Sequence, residues 1–281
     1  MNELIDLHTH TTASDGIYSP EALIDLALRS HVKTLAITDH DTLGGLKAAI
    51  AYASKKSFDF IPGIEFSVDY PGGSFHLLGL YVDYEDSELI ETTARLMEFR
   101  NTRASRILED LSKYGIDIPH TLLEEISGGE SMGRPHIARA MIKLGFAPDI
   151  SAVFQNFLVK GKPGYVKKEK IKLSDAIRLI KKGHGIPIIA HPISLDLPSC
   201  KDFENLLEEL MKAGIEGIEV FASMHSDREV EEFLKIALKY HLLITGGSDF
   251  HGDKEEVIGY YSNNRQIPFD LRDKIIPGGF K

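Results

Sequence analysis

The 281-residue chain is poor in cysteine and lacks long apolar segments. Cys200 is its only cysteine, so an intramolecular disulfide is excluded and any metal site must be built from nitrogen and oxygen ligands. No apolar run approaches the roughly eighteen residues of a membrane helix, and no signal-peptide pattern is found. These absences favour a cytoplasmic protein without a membrane partner.

Basic residues are also fewer than acidic ones, with 32 lysines and arginines against 42 aspartates and glutamates, so the formal net charge is −10. Proteins that coat long duplex nucleic acid commonly present a basic face, so this composition disfavours such a partner. It still permits a local basic pocket for one phosphate. Apolar residues make up 43% of the chain, enough for a sizeable core. The length suits one large α/β domain, or one domain with an insertion.

Short apolar runs alternate with amphipathic segments along much of the chain. The predicted strands are residues 4–7, 34–38, 59–64, 77–82, 187–190, 215–221 and 242–246. Their nearly continuous apolar character predicts strands covered on both faces, and hence a parallel sheet. Helix signals lie between them, such as Ser19-Pro20-Glu21, where an N-cap residue precedes a proline at the first helical position. Repeated strand–helix alternation predicts a β/α barrel or a distorted relative of one.

This alternation stops between residues 88 and 170, where the pattern is helical throughout. Helices are predicted at residues 89–114, 121–126, 135–144 and 150–158, followed by a return loop at 160–170. We therefore expect residues 1–87 and 171–281 to form a barrel, and residues 88–170 to form a helical insertion that covers the substrate.

Histidines and carboxylates follow the predicted strands. They are His8, His10 and Asp15 after the first strand, His40 after the second, Glu65 after the third, His191 after the fifth, and Asp249 and His251 after the last. In a β/α barrel the carboxyl ends of the strands share one rim, so these side chains should converge. His76 is the exception, because it begins its strand. Either that strand runs against its neighbours or a loop returns the histidine to the rim.

The predicted rim thus gathers six of the twelve histidines and three carboxylates. One histidine at a strand end is more often a core or capping residue, but the whole set favours metal binding. Nitrogen and oxygen ligands suit Zn²⁺, Mn²⁺ and Fe²⁺. Nine candidates exceed the needs of one ion, so two or three ions sharing a bridging carboxylate are expected. Adjacent ions about 3.5–4 Å apart are typical of enzymes that catalyse displacement at phosphorus.

The chain contains a series of motifs that resemble, in the same order, the motifs of a known family. The motifs here are HTHTTASDG, ITDHDT, PGIEFS, FHLLG, AHP and GSDFH, and they resemble those of the PHP (polymerase and histidinol phosphatase) superfamily. In the insertion, GRPHIARAM and FLVKGKPGYV resemble the PHP phosphoesterases that act on nucleotide phosphates. The resemblance implies an α/β fold, a distorted (β/α)7 TIM-like barrel with an inserted helical subdomain and a trinuclear metal site.

The resemblance also implies which residues hold each ion. The first ion would bind His8, His10, Glu65 and Asp249; the second would bind Glu65, His76 and His191; the third would bind Asp15, His40 and His251. Histidinol phosphatases more often carry histidine where Asp15 stands, which counts against histidinol phosphate as the substrate.

Several residues are candidates for substrate binding. Arg134 precedes a predicted helix N-terminus, where a guanidinium and free N–H groups bind phosphate; the alternative is a surface salt bridge. Lys160, Lys162 and Lys167 with Tyr165 would hold a second phosphate or stack a base, or else form a solvated charge run. His136 follows a proline at a helix start and is a further candidate.

His225 lies just past the sixth predicted strand. From the rim it would touch a substrate oxygen or protonate the leaving group, unless it is a solvated loop histidine. Asp39 and Asp41 flank His40. They are possible ligands, but we expect them rather to cap the following helix or to orient His40.

These features together predict a metal-dependent phosphomonoesterase for small nucleotides. The resemblance favours hydrolysis of a nucleoside 3′,5′-bisphosphate to the nucleoside 5′-monophosphate and phosphate. The alternatives are a 5′–3′ exonuclease acting on short RNA or DNA, a histidinol-phosphate phosphatase, and a non-catalytic PHP module that only stabilises a partner.

Overall fold

The structure, a computed structural model, describes residues 3–128, 131–253, 256–262 and 264–274. Seven strands form one sheet in chain order. They are β1 (Leu4–Asp6), β2 (Val32–Ile37), β3 (Asp59–Val68), β4 (Phe75–Leu80), β5 (Ile186–Ile189), β6 (Gly217–Ala222) and β7 (Leu243–Gly247). Each of the seven predicted runs contains or overlaps one of these strands.

The sheet is mixed rather than parallel. β1, β2 and β3 pair in parallel, as do β5, β6 and β7, but β4 is antiparallel to both β3 and β5. The prediction of an all-parallel sheet is therefore wrong for β4, because β3 returns directly into β4 as a hairpin. At the other edge, the Leu7 N–H donates to the Gly246 carbonyl at 3.2 Å. This contact brings the first and last strands together into a nearly closed, distorted barrel.

Helices cover the outside of the barrel. They are α1 (Pro20–Arg29), α2 (Leu46–Ala53), α7 (Leu173–Lys182), α8 (Cys200–Ala213) and α9 (Asp227–Lys239). The Ser19 side chain caps α1 by accepting the Ala22 N–H, as the sequence predicted. Ser226 and Glu229 form a capping box at the start of α9. The strands are buried beneath these helices, and β1 and β5 are buried at every position.

The segment between β4 and β5 is helical, as predicted. It contains α3 (Ser87–Ser112), α4 (His120–Ser127), α5 (Arg134–Lys143) and α6 (Ile150–Val153), and α6 continues into a π-helical turn at Phe154–Leu158. Among the residues that the structure describes, the buried hydrophobic side chains form two clusters. Leu89 and Leu96 of α3 belong to the barrel cluster, whereas Ile107 and Leu111 belong to the cluster of the insertion. Because α3 contributes to both clusters, the clusters do not separate at residue 88. The predicted domain boundary there stays a prediction.

A hairpin of β8 (Tyr260–Tyr261) and β9 (Arg265–Gln266) follows the last barrel strand and was not predicted. Of the helices in the described ranges, none combines the length and apolar character needed to cross a membrane. The cytoplasmic location stays a prediction.

Candidate active site

The structure brings all nine predicted ligands to one rim of the barrel. His76 reaches the rim because β4 runs against its neighbours, which was one of the two alternatives. It pairs with Ser67 across the β3–β4 hairpin, two residues beyond Glu65. The hairpin therefore carries two candidate ligands on adjacent strands.

Glu65 lies at the centre of the cluster and is fully buried. The shortest distances from its carboxylate oxygens to imidazole nitrogens are 2.7 Å to His40, 3.0 Å to His76, 3.1 Å to His191, 3.3 Å to His8 and 3.4 Å to His10. One carboxylate that faces five imidazoles has the position expected of a bridging ligand.

The candidate ligand atoms fall into three groups, within each of which all atoms lie within 4.8 Å of one another. The groups are His8, His10, Glu65 and Asp249; His40, Glu65 and His76; and His10, Asp15, His40 and His251. The first is the set that the resemblance implies. The second has His40 where the resemblance gives His191, and the third gains His10. We call the nine predicted residues together the ligand cluster; their individual roles as ligands stay predictions.

Hydrogen bonding within the ligand cluster is incomplete. Five buried atoms have no hydrogen-bond partner among the described residues: His8 Nε2, Asp15 Oδ1, His40 Nδ1, Glu65 Oε2 and His76 Nδ1. Burying a polar atom without a partner is costly, and such atoms are rare in native proteins. These lone pairs face one another at short distances, an arrangement that a shared cation satisfies. The residues therefore fit divalent metal ions with nitrogen and oxygen ligands.

For Asp249, His10 and His76 the electrostatics favour the protonation states that bind metal. For His8, His191 and His251 burial favours the neutral ring, but the neighbouring carboxylates outweigh it and raise the pKa. Burial alone would raise the pKa of Asp249, but the His8 charge and the hydrogen bond from His10 hold it below its usual value. Burial lowers the pKa of His10 to about 3 and that of His76 to about 4, so both rings are neutral at pH 7. Ionised carboxylates and neutral imidazoles are the ligating forms.

Glu219 supports two of the histidines and was missed in the sequence. His8 Nδ1 donates to Glu219 Oε1 at 3.0 Å, and the His191 N–H donates to Oε2 at 2.7 Å. This arrangement directs His8 Nε2 towards Glu65. The only signal in the sequence was a charged residue inside an otherwise apolar strand.

Asp39 and Asp41 do not have the predicted roles. Asp39 accepts hydrogen bonds from Thr11 and Ser14, and so fixes the loop that follows β1. Asp41 accepts the Ser67 N–H at 2.7 Å and so ties its loop to β3. α2 begins after Gly45 without a side-chain cap. Both aspartates therefore fix loops and neither caps α2.

A cavity of about 610 Å³ opens beside the ligand cluster. Asp15, His40 and His76 line one side. The other side is cationic and aromatic, and its lining includes Arg100, Arg103, Arg134, Phe154, Lys160, Tyr165, Lys167, Lys168 and Lys170. The predicted substrate residues Arg134, Lys160 and Tyr165 therefore lie at the cavity. Lys162 is exposed on the same loop and is not among the described lining residues.

Arg100, Arg103, Lys168 and Lys170 are cationic residues of this wall that were not singled out in the sequence. Arg100 is 8% exposed, and its Nη2 lies 2.8 Å from Asp15 Oδ2. Arg103 Nε donates to the Val166 carbonyl at 2.7 Å, and burial lowers its pKa to about 10. Lys168 Nζ lies 2.8 Å from Asp41 Oδ2. Arg100 and Arg103 lie on a long amphipathic helix, where charged side chains normally indicate only a solvated face.

His136 and His225 are buried, each with 1% exposure, and neither is among the described lining residues of the cavity. His136 Nδ1 accepts the Gly133 N–H at 3.1 Å and so caps α5. His225 Nδ1 donates to the Val220 carbonyl at 2.9 Å, and its ring packs against Phe233. Substrate binding by His136 and proton donation by His225 stay predictions.

Known proteins are similar to this chain in sequence over most of its length. The family model described as PHP domain matches residues 6–183. The 5′-3′ exoribonuclease Rnm of Escherichia coli (strain K12) is 35% identical over 252 residues, covering 88% of this chain and 85% of that protein. The 3′,5′-nucleoside bisphosphate phosphatase of Chromobacterium violaceum is 34% identical over 252 residues, covering 89% of this chain and 88% of that protein.

Solved structures show the same fold. An amidohydrolase from Chromobacterium violaceum, solved with bound sulfate and no metal, superimposes with a TM-score of 0.85 at 32% identity and covers 97% of each chain. The two named relatives hydrolyse phosphoester bonds, and the predictions of the barrel and of a phosphoester hydrolase are confirmed. Motifs, ligand cluster and comparisons agree: this chain belongs to the PHP domain family.

Proposed function

We propose that the chain hydrolyses a phosphate monoester of a small nucleotide, namely a nucleoside 3′,5′-bisphosphate. The observation that carries this proposal is that the ligand cluster and a cationic wall face the same cavity. A substrate with two phosphates would place the scissile one at the cluster and the other against Arg103 and Arg134. Guanidinium groups bind phosphate oxygens through paired hydrogen bonds.

We further propose that the ligand cluster holds two or three divalent ions of manganese, iron or zinc. When bound, such ions lower the pKa of a water and neutralise charge on the phosphate and on the leaving oxygen. In the overall reaction a water oxygen bonds to phosphorus and the bond from phosphorus to the ribose O3′ breaks. The ribose oxygen gains a proton, and the products are the nucleoside 5′-monophosphate and inorganic phosphate.

The residues of the insertion would hold the rest of the nucleotide. Arg134 lies over the Phe154 ring, with the guanidinium carbon 5.2 Å from the ring centre, so its side chain has a defined position at the cavity. Tyr165 and Phe154 offer aromatic faces to a base, because every base can stack on such a surface. Lys160 is exposed at the cavity and would approach the second phosphate.

A 5′–3′ exonuclease acting on short RNA or DNA is the second candidate. The Escherichia coli relative carries that activity in its name, and its 35% identity does not separate it from the phosphatase at 34%. Lys162 and Lys167 are exposed on the return loop, where an RNA or DNA chain that extends out of the cavity would pass. The complete ligand cluster counts against a non-catalytic module.

A substrate comparison tests the proposal. Purified protein supplied with Mn²⁺, Zn²⁺ or Fe²⁺ is given adenosine 3′,5′-bisphosphate or a 5′-phosphorylated pentaribonucleotide, and phosphate and mononucleotide release are measured. We expect a higher kcat/KM for the bisphosphate, with the 5′-monophosphate as product. Turnover of the oligonucleotide alone would establish the exonuclease instead. If no phosphoester is cleaved with any of the three metals, the protein is a non-catalytic module.

A further inference from the structure

Arg139 of α5 joins two ligand-bearing loops from the helical insertion. Its Nη1 donates to the main-chain carbonyl of Asp15 at 2.9 Å, and its Nη2 lies 3.4 Å from Asp253 Oδ1. One loop carries Asp15, and the other carries His251. The two segments are more than two hundred residues apart in sequence, yet both supply candidate ligands to the Asp15–His251 group.

Arg139 acts from outside the cavity. Its side chain is 16% exposed, and it is not among the described residues that line the cavity. A second arginine of the insertion, Arg100, contacts the same loop through the Asp15 side chain at 2.8 Å. The insertion thus contacts the Asp15 loop through both the main chain and the carboxylate.

The two loops also contact each other directly. His251 Nε2 lies 3.5 Å from Asp15 Oδ1, and the His10 N–H donates to the Phe250 carbonyl at 2.9 Å. Neither Asp15 nor His251 lies in a helix or strand. Glu256 accepts the N–H groups of His251, Gly252 and Asp253, which organises the second loop internally. The Ile17 N–H donates to the His251 carbonyl at 2.9 Å and links the loops directly. Loss of Arg139 would therefore loosen the two loops without separating them.

We infer that the insertion completes one of the ion-binding groups, with Arg139 as the positioning residue that sets Asp15 and His251 relative to each other. This inference rests on the proposed function, because it takes the ligand cluster as a metal site. A metal ion binds more tightly when its ligands are already held in place, and loss of an outer contact that orients ligands typically costs about 10–100-fold in affinity. The insertion is then part of the metal site as well as a cover for the substrate.

The test is a metal titration of the Arg139→Ala variant. Metal-free protein is prepared with a chelator and titrated with Mn²⁺ by calorimetry, and bound manganese is counted after equilibrium dialysis. We expect the affinity for one ion to fall by about 10–100-fold while the remaining binding is unchanged. With the bisphosphate substrate at fixed Mn²⁺, kcat should fall and KM should stay within about twofold, because Arg139 does not line the cavity.

Lys143→Ala is the matched control, since Lys143 is exposed on the same helix and pairs only with Glu125 on the neighbouring helix. It should leave Mn²⁺ binding unchanged. If Arg139→Ala binds Mn²⁺ as the wild type does, the inference is wrong and the proposed function stands. If the wild type itself neither binds Mn²⁺ nor cleaves a phosphoester, the proposed function fails.

A variant that removes only one contact covers the case in which Arg139→Ala does not fold, as judged by circular dichroism. Asp253→Ala removes the acceptor of Nη2 and leaves the contact with the Asp15 carbonyl. This variant should lower the affinity for the same ion by a smaller factor than Arg139→Ala does. Unchanged Mn²⁺ affinity in Asp253→Ala, with Arg139→Ala unfolded, would overturn the inference.

Discussion

Glu219 Oε1 lies 3.0 Å from His8 Nδ1, and both side chains are buried. The other oxygen of the same carboxylate accepts the main-chain N–H of His191, a residue with φ of 24°. Positive φ is uncommon for residues other than glycine and persists only where the surroundings hold it. One carboxylate in the middle of β6 therefore fixes two histidines that both face Glu65.

Changing Glu219→Gln should weaken metal binding by about 10–100-fold, because the neutral amide no longer supports His8 with a negative charge. A Mn²⁺ titration of metal-free protein measures the change. Glu216→Gln is the control, since Glu216 directly precedes the same strand, has a side chain 42% exposed and pairs with Lys181. Equal Mn²⁺ affinity in both variants would contradict the role given to Glu219.

His10→Ala should abolish turnover. The His10 ring belongs to two of the three ligand groups, so its loss removes a ligand from both. The measurement is kcat for the bisphosphate together with manganese content after dialysis. A variant with full metal content and more than about a tenth of wild-type kcat would exclude His10 as an essential ligand.

Arg134→Ala should mainly weaken substrate capture. A hydrogen bond to a charged group contributes about 1.5–3 kcal/mol, which corresponds to a rise in KM of roughly tenfold to a hundredfold. We expect kcat at saturation to change far less. Arg106→Ala on α3 is the control, because Arg106 is exposed. A loss confined to kcat would assign Arg134 to the chemical step instead.

Removing the ions should lower stability as well as activity. An ion present at 100 times its Kd stabilises the native state by about 2.7 kcal/mol, provided that it does not bind the unfolded chain. Urea unfolding with Mn²⁺ and with a chelator measures the difference. Glu65→Ala, which lacks the central carboxylate, should show a much smaller difference. A wild type whose unfolding is insensitive to the chelator would argue that the cluster binds no metal.

Gly133→Ala tests the position of Arg100. An added Cβ would lie 2.7 Å from Arg100 Nη2, so the guanidinium, which contacts Asp15, has to shift. Overpacking of this kind costs about 1–3 kcal/mol, which urea unfolding would detect. The backbone at Gly133 has φ of −127°, which alanine adopts readily. An unchanged free energy of unfolding and unchanged kcat would show that the Arg100–Asp15 contact is dispensable.

The sequence predicted much of the barrel and the convergence of the nine residues of the ligand cluster at one rim. Buried strands carry continuous apolar runs, and His8 and His10 follow the first of them at a spacing that places both on one side. The direction of β4 could not be decided in advance, because an apolar strand has the same pattern in either direction. His76 therefore had two possible explanations until the pairing with β3 was known.

Supporting residues were harder to predict because their partners are distant in sequence. Arg100 contacts Asp15 across 85 positions, and Glu219 contacts His8 across 211. Within its own segment each residue looks like an ordinary charge in a helix or strand. His136 has a role that the sequence did not predict, because its ring accepts the Gly133 N–H and so caps the start of α5.

The antiparallel hairpin of β3 and β4 has a consequence for how the active site can vary. Glu65 and His76 are fixed by the ladder of the hairpin, whereas the turn between the strands contributes Asp69, Tyr70 and Ser74 to the cavity wall. Evolution or design can therefore lengthen or recompose this turn, and so alter which molecules are admitted, while the chemistry at Glu65 and His76 is preserved.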